Sequence, residues 1–371
     1  MNTIHLIYPF DLKKRKTPWE EGNQIYFALK DKFYFKFYSW LSIGKINPKK
    51  GDILLGHSHS NPFTIFRRSM KNDKWKKVIM YQPYNEDTYS LSYLHSVMPY
   101  IDVFVALCGP YWIKRVKKSI FSPWKKKIKH INLGIDYKEF KFLKKKFNKK
   151  HKRKFLFIGN DYRYNNFAKN TKYLEQISNF FEEETFGSMG NKNFKKMKNY
   201  GWVNFKSNNI RKILSQYDFL IHTSSHDANP STILEAMSWG LIPITTKQCG
   251  YDNEKGIINI PLNDLNSTVK ILKKFQSIDI KKLLYLQKNN HKRIKDFYNW
   301  NNFRKKIRSI VLSKVEIRDK NNDQLKKNIK IKFLGFEKKS SNYYLRLDMI
   351  LILIKANISI LIKKILLRLG H

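Results

Sequence analysis

Short apolar runs alternate with longer stretches of helical pattern along this chain, and they do so in two series separated by one intensely basic stretch. No other feature constrains the fold as much. A parallel α/β sheet requires that alternation, because parallel strands are buried on both faces and each is reached through a helical crossover. The first series predicts strands at Ile4–Tyr8, Asp52–Gly56, Lys77–Tyr81 and Asp102–Leu107, with a further apolar stretch at His130–Leu133. The second predicts strands at 155–159, Asp218–His222 and 241–246, the last entered from a helix that stops at Gly240. Between the series, residues 141–154 carry nine Lys and Arg and no acid, which predicts an extended, solvated linker. The expected organisation is a first Rossmann-like domain at 1–140, the linker at 141–154, a second Rossmann-like domain at 155–295, a helix at 296–312, and a tail at 313–371. Ligands of such sheets sit at the carboxyl ends of the strands, so two of them predict a shared cleft.

Charge comes next. The 371 residues hold 73 Lys and Arg against 29 Asp and Glu, a formal charge of +44. This invites a phosphate-rich partner: nucleic acid, an anionic membrane or a phosphorylated ligand. Only 13 of the basic residues are Arg. Lys, Asn, Ile, Phe and Tyr are all abundant, and their A/T-rich codons supply part of the excess without any partner. No zinc-finger spacing or RNA-recognition aromatic motif is visible, so specific nucleic-acid binding is the weaker alternative. Cys108 and Cys249 make no redox or metal spacing, which predicts a reducing compartment. The first residues read as a strand rather than a signal peptide, and no run of about 20 uninterrupted apolar residues is present.

The most specific stretch is HTSSHDANPSTILEAMSWGLIPITT, residues 222–246. A strand ends at His222, a polar loop leads to Asn229 and Pro230, and a helix follows. Asn suits a helix cap and Pro the first turn. The N–H groups at the helix start are then free for hydroxyls or an anion. Asp227 and Glu235 are eight residues apart, and both carboxylates can face one ligand; carboxylates accept hydrogen bonds from the vicinal diols of sugars and ribose. The alternative for Glu235 is a capping box with Thr232.

This stretch resembles the E-x7-E segment of the retaining, metal-independent glycosyltransferases of the GT-B fold, the group often called family four. Here the pair is Asp227–x7–Glu235, followed by AMSWGLIPITT. The resemblance implies an α/β GT-B architecture, with two Rossmann-like domains facing a cleft. It implies that Glu235 holds the nucleotide ribose, that Asp227 contacts the transferred sugar, and that Asn229 and Ser231 at the helix start belong to the donor site. Asp in place of the family's first Glu shortens the reach by one methylene. In IGNDYRYNNFAKN, residues 158–170, Lys169 matches the family's diphosphate-binding Lys, and Arg163 stands several residues past the family's Arg position. DILLGHSHS, residues 52–60, resembles the family's first-domain strand end, which puts His57 beside the transferred sugar; His59 shares its facing. HINLGIDYKEF at 130–140 and YNWNNFRKKI at 298–307 resemble the exit from the first domain and the final helix that crosses back to it. The resemblance implies no metal and no cofactor beyond the nucleotide sugar.

The tail at 345–369 is apolar but interrupted by six charges, so an interfacial helix, packing on protein and a true span all stay open. Residues 113–129 carry eight basic residues and no acid, with Ile120, Phe121 and Trp124 among them, a composition suited to an anionic bilayer surface. The resulting expectation is a cytoplasmic glycosyltransferase, with attachment to the inner face of a membrane as an option. It would move a sugar from a nucleotide sugar to a glycan or lipid-linked acceptor. The alternatives are an inactive relative serving as a membrane scaffold, and a nucleic-acid-binding protein.

Overall fold

The computed structural model describes residues 1–314 apart from 10–19, 60, 86–93, 95–96, 117–123, 161–165 and 206. The readings of Arg163 and of the tail beyond 314 lie outside the described residues. Twelve described strands form two six-stranded sheets, and every pairing within them is parallel.

The first sheet contains β1 (Thr3–Tyr8), β2 (Tyr34–Ser39), β3 (Ile53–Gly56), β4 (Lys77–Pro83), β5 (Val103–Leu107) and β6 (Ile128–Ile131). Their spatial order is β2-β1-β3-β4-β5-β6. The second contains β7 (Phe155–Ile158), β8 (Phe186–Met189), β9 (Lys198–Asn199), β10 (Phe219–His222), β11 (Ile242–Thr246) and β12 (Ile258–Ile260), in the order β12-β11-β10-β7-β8-β9. The strand order therefore reverses between β1 and β3 in one sheet and between β7 and β10 in the other. Crevices for ligands open at such reversals.

Two glycines shape these crevices. Gly56 ends β3 at φ +145°, where a Cβ would lie 2.0 Å from the Ile7 carbonyl oxygen. Only a glycine lets β3 close onto β1 there, and the His57 N–H then donates to Ile7 O at 2.9 Å. Gly240 ends the helix Ser231–Trp239 at φ +92°, the left-handed closure that glycine accepts without strain.

The segment 141–154 forms no helix or strand, and Lys141, Lys145, Lys146, Lys149, Lys150 and Lys152 are exposed, but two of its basic side chains turn inward. Lys144 and Arg153 are buried. Lys144 Nζ pairs with Asp218 Oδ1 at 3.0 Å, and Asp218 also accepts from the main chains of Asn148 and Lys154. The Arg153 guanidinium donates to Phe275 O at 3.1 Å. Asp218 and the carbonyls of Ser215 and Phe275 thus offset the burial of these two charges, while most of the segment's cations stay in water.

Trp124 likewise departs from the membrane reading. Its indole is 2 % exposed and sits in the apolar cluster of the first half with Phe104 and Trp112. Ile120 and Phe121 lie outside the described residues.

The helix Trp300–Leu312 packs on the helix Glu21–Leu29 and on β6 of the first half. Phe303, Ile307 and Val311 are buried, and Arg308 forms a two-pronged pair with Asp31 at 2.6 and 2.8 Å. Its C-terminal carbonyls are capped by a residue 233 to 236 positions earlier. Lys77 is almost fully buried, and its ammonium donates to Ile310 O (3.0 Å), Val311 O (3.2 Å) and Ser313 O (2.5 Å). Lys77→Met keeps the stem and removes the donors, so three carbonyls lose a charged partner. The expected cost is about 2–4 kcal/mol, read as a lower urea midpoint with an unchanged slope.

Candidate functional site

The carboxyl ends of the two sheets face one another. The loop leaving β5 meets the loops leaving β10 and β11: Gly109 N–H donates to Ala228 O at 2.8 Å, and Tyr111 N–H to Gly250 O at 2.9 Å.

On the second half, the site is the loop from β10 into the helix Ser231–Trp239. Main-chain bonds fix its path: Ser225 N–H donates to Ala168 O at 2.9 Å, and Asp227 N–H to Gln248 O at 3.0 Å. Behind it, His222 Nδ1 meets Ser224 Oγ at 2.9 Å and Cys249 Sγ at 3.5 Å, all of them buried. Burial holds the His222 pKa down to about 3 and pushes the Cys249 thiol up to about 12. At neutral pH both are uncharged, so this layer supports the loop without adding charge to it.

Lys169 and Asp227 are brought together, Nζ to Oδ2 at 2.5 Å, with both side chains partly open to solvent. Lys169 ends the short helix Asn166–Lys169 beyond β7, so the pair bridges the two strands at the reversal. Glu235 lies in the second turn of its helix. Its side chain is buried, Oε2 has no hydrogen-bond partner, and the other contact is with the Ser231 hydroxyl. Burial raises this carboxyl to about 7, and the Ser231 bond opposes the rise in part. The capping-box alternative fails. Pro230 occupies the cap position with no side-chain cap bond, and Thr232 Oγ1 has no partner. Asn229 does not cap either: its Oδ1 accepts from the Tyr251 hydroxyl, while its Nδ2 is buried and unpartnered. Unpartnered buried polar atoms cost free energy unless something else satisfies them. Here two of them, Glu235 Oε2 and Asn229 Nδ2, belong to one loop and the helix it enters.

On the first half, His57 follows β3 at the reversal between β1 and β3. Its ring is enclosed edge-on by Tyr8 (5.2 Å between centroids), Tyr81 (5.3 Å) and Trp40 (6.3 Å). Burial lowers its pKa to about 3, and Nε2 has no partner, so it offers a neutral ring nitrogen for a hydroxyl. His59 instead accepts a turn N–H, that of Asn61, at 3.1 Å. A pair that the motifs do not reveal stands beside His57. The Tyr8 hydroxyl donates to Glu21 Oε2 at 2.5 Å, and burial raises the Glu21 carboxyl above its ordinary value. The Tyr81 hydroxyl is buried and unpartnered. Tyr81 opens a Tyr-rich stretch of sequence, YQPYNEDTYSLSYLH at 81–95, whereas Tyr8 and Glu21 carry no such signal.

Among the described residues no group of three or more His, Cys, Asp or Glu is placed to hold a metal ion, and no helix is long and apolar enough to cross a membrane.

No protein-family profile and no curated protein matches this chain. Solved structures do match by shape. TarM aligns at TM-score 0.52 and 13% identity over 79% of this chain; the alignment spans 58% of the length of TarM. WaaG, a glycosyltransferase involved in lipopolysaccharide biosynthesis, aligns at TM-score 0.54 and 11% identity, covering 84% of this chain and 100% of WaaG. Anabaena Alr3699/HepE in complex with UDP and glucose aligns at TM-score 0.55 and 10% identity, covering 84% of this chain and 100% of that one. The chain has the GT-B fold: two parallel Rossmann-like sheets with their carboxyl ends opposed.

Proposed function

We propose that the protein is a glycosyltransferase that moves a sugar from a nucleoside-diphosphate donor to a hydroxyl of a glycan or lipid-linked acceptor. The observation that carries the reading is Glu235. A buried carboxylate oxygen without a partner stands in the second turn of a helix, eight residues past a carboxylate that is already paired with a lysine. A ribose diol supplies the two donors that such a carboxylate accepts. The ligands named for HepE, UDP and glucose, have the same chemistry.

In this reading the donor lies across the β7/β10 reversal. Glu235 takes the ribose. Lys169, with the helix-start N–H groups near Asn229 and Ser231, takes the diphosphate, and Arg163 is assigned there with it. Asp227 and the neutral His57 face the sugar. The acceptor oxygen bonds to the anomeric carbon on the face from which the diphosphate departs, so configuration is retained. Its proton passes to the leaving phosphate oxygen. Negative charge grows on the diphosphate as the glycosidic bond breaks, and Lys169 and the helix-start dipoles oppose it without a metal ion. Cytoplasmic placement belongs to the same proposal, with the basic clusters drawing the enzyme to an anionic membrane that carries its acceptor.

A panel of UDP-glucose, UDP-N-acetylglucosamine, GDP-mannose and ADP-glucose tests this. One nucleotide class is expected to stabilise the protein by about 2.7 kcal/mol at 100 times its dissociation constant. It should also be slowly hydrolysed, equally with and without EDTA. A panel in which nothing raises the melting temperature and nothing is consumed removes the proposal.

A further inference from the structure

The loop that carries Asp227 leaves the second sheet, yet the first half holds it. Three successive main-chain carbonyls of this loop accept hydrogen bonds from first-half donors. His226 O accepts from Asn85 Nδ2 at 3.1 Å, Asp227 O from the Trp112 indole N–H at 2.7 Å, and Ala228 O from Gly109 N–H at 2.8 Å. The Ala228 methyl joins the apolar cluster of the first half. Next to it, the backbones of Gly109 and Gly250 touch. A Cβ on Gly109 would lie 2.1 Å from Gly250 O, and one on Gly250 would lie 2.4 Å from Ala228 O.

Asp227 therefore has two masters. Its carboxylate and N–H are held within the second half, by Lys169 and Gln248. Its carbonyl is held by a tryptophan whose ring is buried in the first half. Moving one half against the other must break the indole bond, shift the Asp227 main chain, or both.

We infer that Trp112 is a positioning residue for Asp227. Its indole N–H, together with Gly109 and Asn85, fixes the Asp227 main chain to the first half, so that the carboxylate takes its working position only when the halves are docked. Domain closure and the placement of the sugar-facing acid are thereby one event. The inference rests on the transferase reading for what Asp227 does, but not for how its loop is held.

Trp112→Phe deletes the indole donor and keeps an aromatic ring in the core. Trp75→Phe is a matched control. Trp75 is buried in the same cluster and also donates an indole bond, to Ser69 O at 2.8 Å, but that bond stays within the first half. Hydrogen exchange is read on the ligand-free, full-length chain. The Asp227 amide, which donates to Gln248 O, should exchange roughly tenfold or more faster in Trp112→Phe than in wild type, and unchanged in Trp75→Phe. With the nucleotide sugar consumed in the panel above, kcat should fall roughly tenfold in Trp112→Phe, while the affinity for the free nucleotide changes less than about twofold. Gly109→Ala reaches the same loop without touching the core, by wedging a methyl against Gly250 O, and should speed the same amide. Equal exchange of the Asp227 amide in wild type, Trp112→Phe and Gly109→Ala overturns the inference, and so does equal acceleration in Trp75→Phe. If wild type consumes no nucleotide sugar, the transferase reading fails, while the exchange result still decides how the loop is held.

Discussion

Glu235→Gln is expected to yield a protein that is more stable at pH 8 and nearly blind to nucleotide. The stability half follows from the burial that raises this carboxyl from 4.5 to about 7. The unfolded chain releases the proton near its ordinary pKa, whereas the folded chain keeps it until about 7. Below the unfolded value both states are protonated and the group is neutral to stability. As pH rises through this window the unfolded state is favoured, and above it the cost is complete. Glutamine carries no such cost. The variant should therefore match wild type at pH 4 and exceed it at pH 8, by at most about 3 kcal/mol. The binding half has the opposite sign. A carboxylate accepts both hydroxyls of a diol, but the amide turns one acceptor into a donor and leaves a ribose hydroxyl facing it. The loss in nucleotide affinity should be about 100-fold, measured by calorimetry. In wild type, affinity should strengthen as pH rises through about 7, because the acceptor form is the ionised one. A gain in stability of the same size at both pH values would exclude the buried, proton-holding Glu235 described here, and undiminished affinity would exclude its role at the ribose.

The Lys169–Asp227 pair gives a second large effect, in which two variants move in opposite directions. The two groups meet at 2.5 Å. A donor diphosphate must compete with Asp227 for the same ammonium. Lys169→Met removes the cation and leaves Asp227 without it, so affinity for a nucleoside diphosphate should fall by about 10- to 100-fold, and turnover with it. Asp227→Asn removes this charged competitor for the Lys169 ammonium. Nucleotide affinity should rise by several fold, while turnover falls by about 100-fold or more because the sugar-facing charge is gone. Titration of the free nucleotide against both variants, beside single-turnover rates, separates the two effects. Nucleotide affinity that falls in Asp227→Asn would show that the aspartate does not restrain Lys169.

What the sequence disclosed follows from where each strand sits. β1, β4, β5, β7, β10 and β11 are enclosed by neighbouring strands, and they read as continuous apolar runs. β2 is an edge strand, YFKFYS, with an alternating partly exposed pattern, and β8 is FGSM, four residues with a glycine and a serine; neither has a run to detect. The helix read across 296–312 merges the end of Ile280–Asp296 with Trp300–Leu312, because Phe297, Tyr298 and Asn299 include no proline or glycine to mark the break. The site divides in the same way. Lys169, Asp227 and Glu235 sit close in the chain to the strand ends that place them, so spacing exposed them. Trp112 acts on a partner 115 positions away, and Tyr8 acts on Glu21, 13 positions away. The buried lysine of the basic stretch was hidden for the same reason: Asp218, which pairs with Lys144, lies in another element.

The helix Trp300–Leu312 has a further consequence, for the order in which the molecule can be made. It covers the first half but is encoded after the whole of the second. A ribosome releasing the chain at about 5–20 residues per second exposes β1 to β6 for roughly ten seconds or more before their cover arrives. The second half has all its strands and its own helices in one contiguous stretch, and it can close as soon as it emerges. The amino-terminal half must therefore wait for its last helix, and Lys77, buried against the end of that helix, is sealed only at the final step.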